Sequence, residues 1–151
     1  QHWPLLAPLL ANPALRPDPA QIAACRAGFL ELLRIRRSTP LFRLRTAEQV
    51  RRAVRFFNTG PDQIAGLIVM QLHDPAATQD MLGQVVVLFN ATPAPIQFCD
   101  PAFGGAELWL HPVQQASADA RLRMAAFSQA DGCFGVPGRT TAVFVGASRP
   151  V

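Results

Sequence analysis

No part of this 151-residue sequence could span a bilayer as a helix. Its longest near-continuous apolar run, Ile64 to Leu72, is interrupted by Gln71 and falls well short of the roughly 20 residues that a spanning helix needs. No segment has the basic, apolar and small-residue order of a secretory leader, and position 1 is Gln rather than Met. Gln1 is therefore read as a cut end, with targeting information left outside the chain. Charge is also scarce: 16% of residues are charged against 50% apolar, which excludes a disordered chain and permits a packed core. Cysteine is rare. Cys25, Cys99 and Cys133 are widely spaced, odd in number and free of any C-x-x-C, which argues against a disulfide framework or a zinc site. Each is expected as a small apolar filler, Cys25 on a buried helix stripe.

Catalytic constellations are missing as well. A glycosidase needs two carboxylates flanking the scissile bond, about 5–10 Å apart according to mechanism. Here Asp18 is placed to cap a helix, Glu31 and Glu48 lie beside arginines on helical faces, and Asp62, Asp74, Asp100 and Asp131 occupy turn contexts. His2, His73 and His111 are isolated, and no H-x-x-x-H offers a metal site. No serine has a G-x-S-x-G surround, and the glycines form no phosphate loop. The net charge of +4 gathers in Arg34, Arg36, Arg37, Arg43, Arg45, Arg51, Arg52 and Arg55. Without interleaved aromatics that patch reads as a solvated helix face, and no nucleic-acid partner is expected.

What is present is ordered punctuation. Residues 1–17, rich in Pro and Leu, favour short turns. Asp18-Pro19-Ala20-Gln21 then gives an N-cap, a proline at the first helical position and a capping-box partner. Apolar residues at Ile22, Cys25, Phe29, Leu32, Leu33 and Ile35 mark one side of a helix over Pro19 to Arg37, stopped by Ser38-Thr39-Pro40. A second capping box at Thr46 to Gln49 opens a short turn of helix. From about residue 53 the period becomes two. Strands are expected at Val54–Phe57, Ile64–Leu72, Gln84–Phe89, Ile96–Cys99, Glu107–Leu110, Arg123–Phe127, Cys133–Val136 and Thr140–Val145, with turn residues between them. Such a set defines an antiparallel sandwich or an open Greek-key arrangement behind one substantial helix.

Two tryptophans are the candidate sugar-stacking groups. Strand alternation puts Trp109 and Glu107 on one face and Leu108 and Leu110 on the other. Trp109 can thus look outward, although covering a sheet is the commoner use of so large a side chain. Trp3 is expected to pack on neighbouring leucines.

Several stretches resemble the end of pullulanase-type α-1,6-glucosidases, debranching enzymes of the α-amylase superfamily. They are His2-Trp3-Pro4 with Pro8-Leu9-Leu10-Ala11, Phe29 to Arg36, and Ser38-Thr39-Pro40-Leu41-Phe42-Arg43-Leu44. Phe57-Asn58-Thr59-Gly60-Pro61-Asp62-Gln63-Ile64 is the sharpest, followed by Gly66 to Met70, Val85 to Pro93, Leu110 to Gln114 and Val136 to Val145. The resemblance covers almost the whole chain and departs at His2, where the family usually has Asn. It implies a Greek-key-like C-terminal β-sandwich at 53–151, preceded by the end of a (β/α)8 barrel at 1–52, with the Pro19–Arg37 helix as the last barrel helix. Catalytic carboxylates of barrels sit at strand ends. They would lie upstream of Gln1, so no catalytic residue is carried over. Any calcium would belong to the parent, as would the α-glucan substrate, and no cofactor is implied for this piece. The upstream barrel is the implied partner. Its loss would leave the helix stripe to be covered partly by residues 1–17 and partly by dimerisation. A stand-alone carbohydrate-binding sandwich, stacking glucan on Trp109 or Phe103, is the alternative.

Overall fold

The computed structural model describes residues 2–73 and 83–146. Three helices precede the strands rather than one. Helix α1, Trp3–Ala11, replaces the expected turns. Pro4 falls in the first turn, where a backbone N–H has no helical partner anyway. Pro8 costs only the one bond it would have made four residues back, so a nine-residue helix survives both prolines. Helix α2, Pro19–Ser38, begins as the sequence indicates: Gln21 N–H donates to Asp18 Oδ1 at 2.7 Å and Asp18 N–H donates to Gln21 Oε1 at 2.9 Å. Helix α3, Ala47–Ala53, runs longer than the expected single turn behind the Thr46–Gln49 capping box.

Eight strands follow among the described residues: β1 Val54–Phe57, β2 Leu67–His73, β3 Gln84–Asn90, β4 Ile96–Cys99, β5 Trp109–Leu110, β6 Ala126–Ser128, β7 Cys133–Val136 and β8 Thr140–Gly146. All pairings are antiparallel. One sheet has the order β1-β2-β3-β8-β5 and the other β4-β7-β6. The expected start of the second strand at Ile64 gives way to a loop. There Asn58, in the left-handed region at φ 54°, donates through Nδ2 to the carbonyls of Ile64 and Leu67 and accepts the Ile64 N–H. The fifth strand shortens to Trp109–Leu110, and the sixth begins at Ala126 rather than Arg123 because a 3₁₀ turn takes Leu122–Met124.

The centre of the larger sheet is buried on both faces, which is why Val85–Leu88 of β3 form an unbroken apolar run instead of an alternation. One face meets the smaller sheet through Val69, Val86, Leu88, Ala142 and Phe144 against Phe98, Phe134 and Val136. Phe103 stands fully buried between Phe57 and Phe134, with ring centroids 4.7 and 5.0 Å away. The other face packs Leu72, Val85, Val87, Val143 and Val145 under Ile35 of α2 and under Leu41 and Phe42 of the following 3₁₀ turn. Asn90 joins the sheets. It is 2% exposed and its Nδ2 donates to the carbonyls of Ala94, Val136 and Pro137.

Two expectations fail here. Cys99 and Cys133 form a disulfide, because they are direct register partners across β4 and β7, a relation invisible until the pairing is known. Cys25 is exposed rather than buried. The stripe it belongs to is uncovered: Ile22, Phe29, Leu32 and Leu33 all face solvent, and only Ile35 is buried. Helix α1 does not cover it either, since none of its residues is buried.

Candidate functional site

Four of the carboxylates are spent on local structure. Asp18 caps α2, Asp100 accepts the Ala102 N–H at 2.9 Å, Asp131 accepts from the Ser128 hydroxyl at 2.9 Å, and Asp119 pairs with Arg121 at 3.5 Å. Asp74 and Asp80 lie outside the described residues. Among the described residues no group of three His, Cys, Asp or Glu is placed to hold a metal.

Of the candidate stacking groups, Phe103 is excluded because the core encloses it completely. Trp109 is 41% exposed and shares its face with Val145, its register partner on β8, as the strand alternation implies. Trp3 is 66% exposed, so it does not pack into leucines as expected. Trp3 and Trp109 sit on different elements, α1 and β5, and neither lines the hollows of about 410 and 560 Å³.

The polar residues that matter most lie just after β5. His111 is buried and its Nδ1 accepts the Val113 N–H at 3.1 Å. That fixes the proton on Nε2, which donates to Ser38 Oγ at 3.0 Å, while the Ser38 hydroxyl donates to the Ile35 carbonyl at 2.7 Å. Burial holds the His111 pKa below its ordinary value. A neutral imidazole thus ties the sandwich to the end of α2. Gln114, on the short helix α4 (Pro112–Gln115), is 1% exposed. Its Oε1 accepts the Val143 N–H at 2.7 Å and its Nε2 donates to the Thr141 carbonyl at 2.8 Å, so the side chain continues the ladder where β5 stops. Neither role was visible in the sequence; Leu110 to Gln114 registered only as a resembling stretch.

A cleft of about 410 Å³ separates α2 from the body, with Ala24, Gly28 and Leu32 on one wall and Ser117, Arg139 and Thr141 on the other. It lies between α2 and one end of β8, and the sheet carries apolar residues of its own. Thr141 faces Phe89 across β8 and β3, Phe89 faces Ile68 across β3 and β2, and Phe56 lies on the same face opposite Met70. Phe56, Ile68 and Phe89 are all exposed.

The architecture is a two-sheet antiparallel β domain with a helical lead-in, and among the described residues no carboxylate pair is assembled. Residues 1–147 match the family described as alpha-1,6-glucosidases, pullulanase-type, C-terminal, and the chain belongs to that family. It is 44% identical over 151 positions to pullulanase 1, chloroplastic, of Arabidopsis thaliana, covering 95% of this chain and 16% of that one. It is 34% identical over 131 positions to a pullulanase of Klebsiella pneumoniae, covering 84% of this chain and 12% of that one. The crystal structure of PulA from Klebsiella oxytoca superposes with a TM-score of 0.77 at 33% identity, over 89% of this chain and 14% of that one. The chain thus spans only 12–16% of the length of these proteins.

Proposed function

We propose that this chain serves an enzyme that hydrolyses α-1,6-glucosidic branch points in pullulan, starch or glycogen-type glucans, as a structural domain docked on the catalytic part of its parent. In this reading residues 1–52 finish the catalytic barrel, α2 is its last helix and 53–151 form the sandwich. The nucleophile and the general acid lie in the remainder of the parent, which also holds the glucan. The observation that carries the reading is the amount of large apolar side chain left bare: Ile22, Phe29, Leu32 and Leu33 on α2, and Phe56, Ile68 and Phe89 on the sheet, are all exposed. Bare apolar surface of that extent rarely persists on soluble monomers. Seven large apolar side chains, each about half exposed, leave on the order of 5–10 kcal/mol of burial unrealised, an upper bound because unfolded chains already hide part of it.

The test compares Phe29→Asp with Leu33→Asp, made together, in two settings. In the 151-residue chain the pair is expected to leave the urea midpoint unchanged, because both side chains already face solvent. In the full parent it is expected to lower thermal stability and pullulan hydrolysis. Equal effects in both settings, or none in either, would reject the docking. The 151-residue chain alone is expected to release no maltotriose from pullulan. A second reading follows from the exposure of Trp109, which could stack on a glucan ring. It ranks below docking because no second aromatic stands at strand spacing beside Trp109.

A further inference from the structure

We infer that the Cys99–Cys133 disulfide is a thiol-reversible fastener of the smaller sheet, opened in the native state by a dithiol reductant. The two cysteines are direct register partners on the edge strand β4 and the central strand β7. Both side chains point away from the core, because Phe98 and Phe134, their neighbours in sequence, point into it. Cys99 is exposed and Cys133 half-buried, so a reductant reaches the bond without unfolding the domain. A hollow of about 560 Å³ along the same outer face is lined by Gln97, Ser128, Cys133 and Gly135.

The exchange runs in two steps. A reductant thiolate attacks the exposed Sγ of Cys99, and Cys133 leaves as a thiolate. The second thiol of the reductant then attacks its own sulfur in the mixed disulfide and frees Cys99. Two electrons and two protons pass from the dithiol to the cysteine pair. What opens is local. β4 pairs with β7 over four residues and β6 with β7 over three, whereas β3 is held by seven register pairs on each side. Opening the bond therefore loosens β4 and β6 and leaves the larger sheet standing.

The experiment uses the 151-residue chain with Cys25→Ser, so that the exposed third thiol cannot reshuffle. Native protein is incubated with millimolar dithiothreitol, trapped with an alkylating agent and weighed, and amide exchange is followed in parallel. Two labels without denaturant, together with about tenfold faster exchange in 96–99 and 126–128 and unchanged protection in β2, β3 and β8, would support the inference. Cys99→Ser with Cys133→Ser should reproduce the loosened state and ignore the reductant. Labelling only after denaturant is added, exchange that is unchanged or that rises across both sheets, or a double variant that does not fold would overturn it.

Discussion

Replacing Gln114 with alanine tests the claim that a side chain here acts as a strand. β5 pairs with β8 only at Trp109↔Val145 and Leu110↔Phe144. Beyond it, the His111 N–H donates to the Val143 carbonyl at 2.8 Å, and the Gln114 amide takes the next two backbone groups. Alanine would strip both bonds. A buried polar group left without a partner costs about 1–3 kcal/mol. The two groups differ: the Val143 N–H is fully enclosed, whereas Thr141 borders the cleft, where water can reach its carbonyl. The full penalty falls on the first and a reduced one on the second, giving about 2–4 kcal/mol in all. Urea unfolding at neutral pH measures it. Gln114→Glu sharpens the test. Its carboxylate still accepts from Val143 but opposes the Thr141 carbonyl, so the ionised form is disfavoured in the folded state and the carboxyl pKa should rise on folding. That variant should regain stability as the pH falls, when a protonated oxygen can donate to Thr141. A loss below about 0.5 kcal/mol for Gln114→Ala, within the usual range for a surface substitution, would refute the reasoning.

His111 gives a pH dependence of definite sign. Its folded pKa lies below the ordinary value, so its contribution is fully present above about pH 6.5 and is lost as the pH falls through that value towards the lowered pKa. Urea midpoints between neutral and mildly acid pH should show the slope, and His111→Gln should flatten it. Gly28 sits inside α2 where an added Cβ would meet nothing within 4 Å, so Gly28→Ala should stabilise the 151-residue chain by about 0.8–1 kcal/mol in the same assay; a loss would mean that the cleft is filled in solution. Maltoheptaose titrated against tryptophan fluorescence should give no saturable micromolar binding. Saturation abolished by Trp109→Ala would move the sugar-stacking reading ahead of docking.

Local chemistry made much of the fold legible. Asp18 with Gln21 and Thr46 with Gln49 announced two helix starts because both halves of each capping box lie within four residues. Strands β1, β4 and β7 kept the bounds their alternation and flanking turns gave them. What was not legible depended on partners distant in sequence or absent from it. The Cys99–Cys133 bond needs the β4–β7 register, and the burial of Phe103 needs Phe57 and Phe134 brought together from 46 residues before it and 31 after. The periodicity of α2 correctly marked an apolar side but could not say what covers it. For Gln114 and His111, residue type alone suggests a solvated surface; only the early end of β5 turns them inward.

The apolar run of β3 also bears on how the domain is made. From Gly83 to Cys99 the sequence carries no charge, and Gln84 to Asn90 has no proline either, the composition of a segment that pairs with copies of itself. β2, made earlier, can zip onto one edge at once. The other edge waits for β8, whose Phe144 is synthesised 58 residues after its partner Val86. At about 5–20 residues per second that interval is roughly 3–12 s. For those seconds an uncharged strand edge is open on every nascent chain. That interval, set by the pace of translation and not by the contacts of the finished domain, is when this strand is most open to pairing with its copy on a neighbouring ribosome.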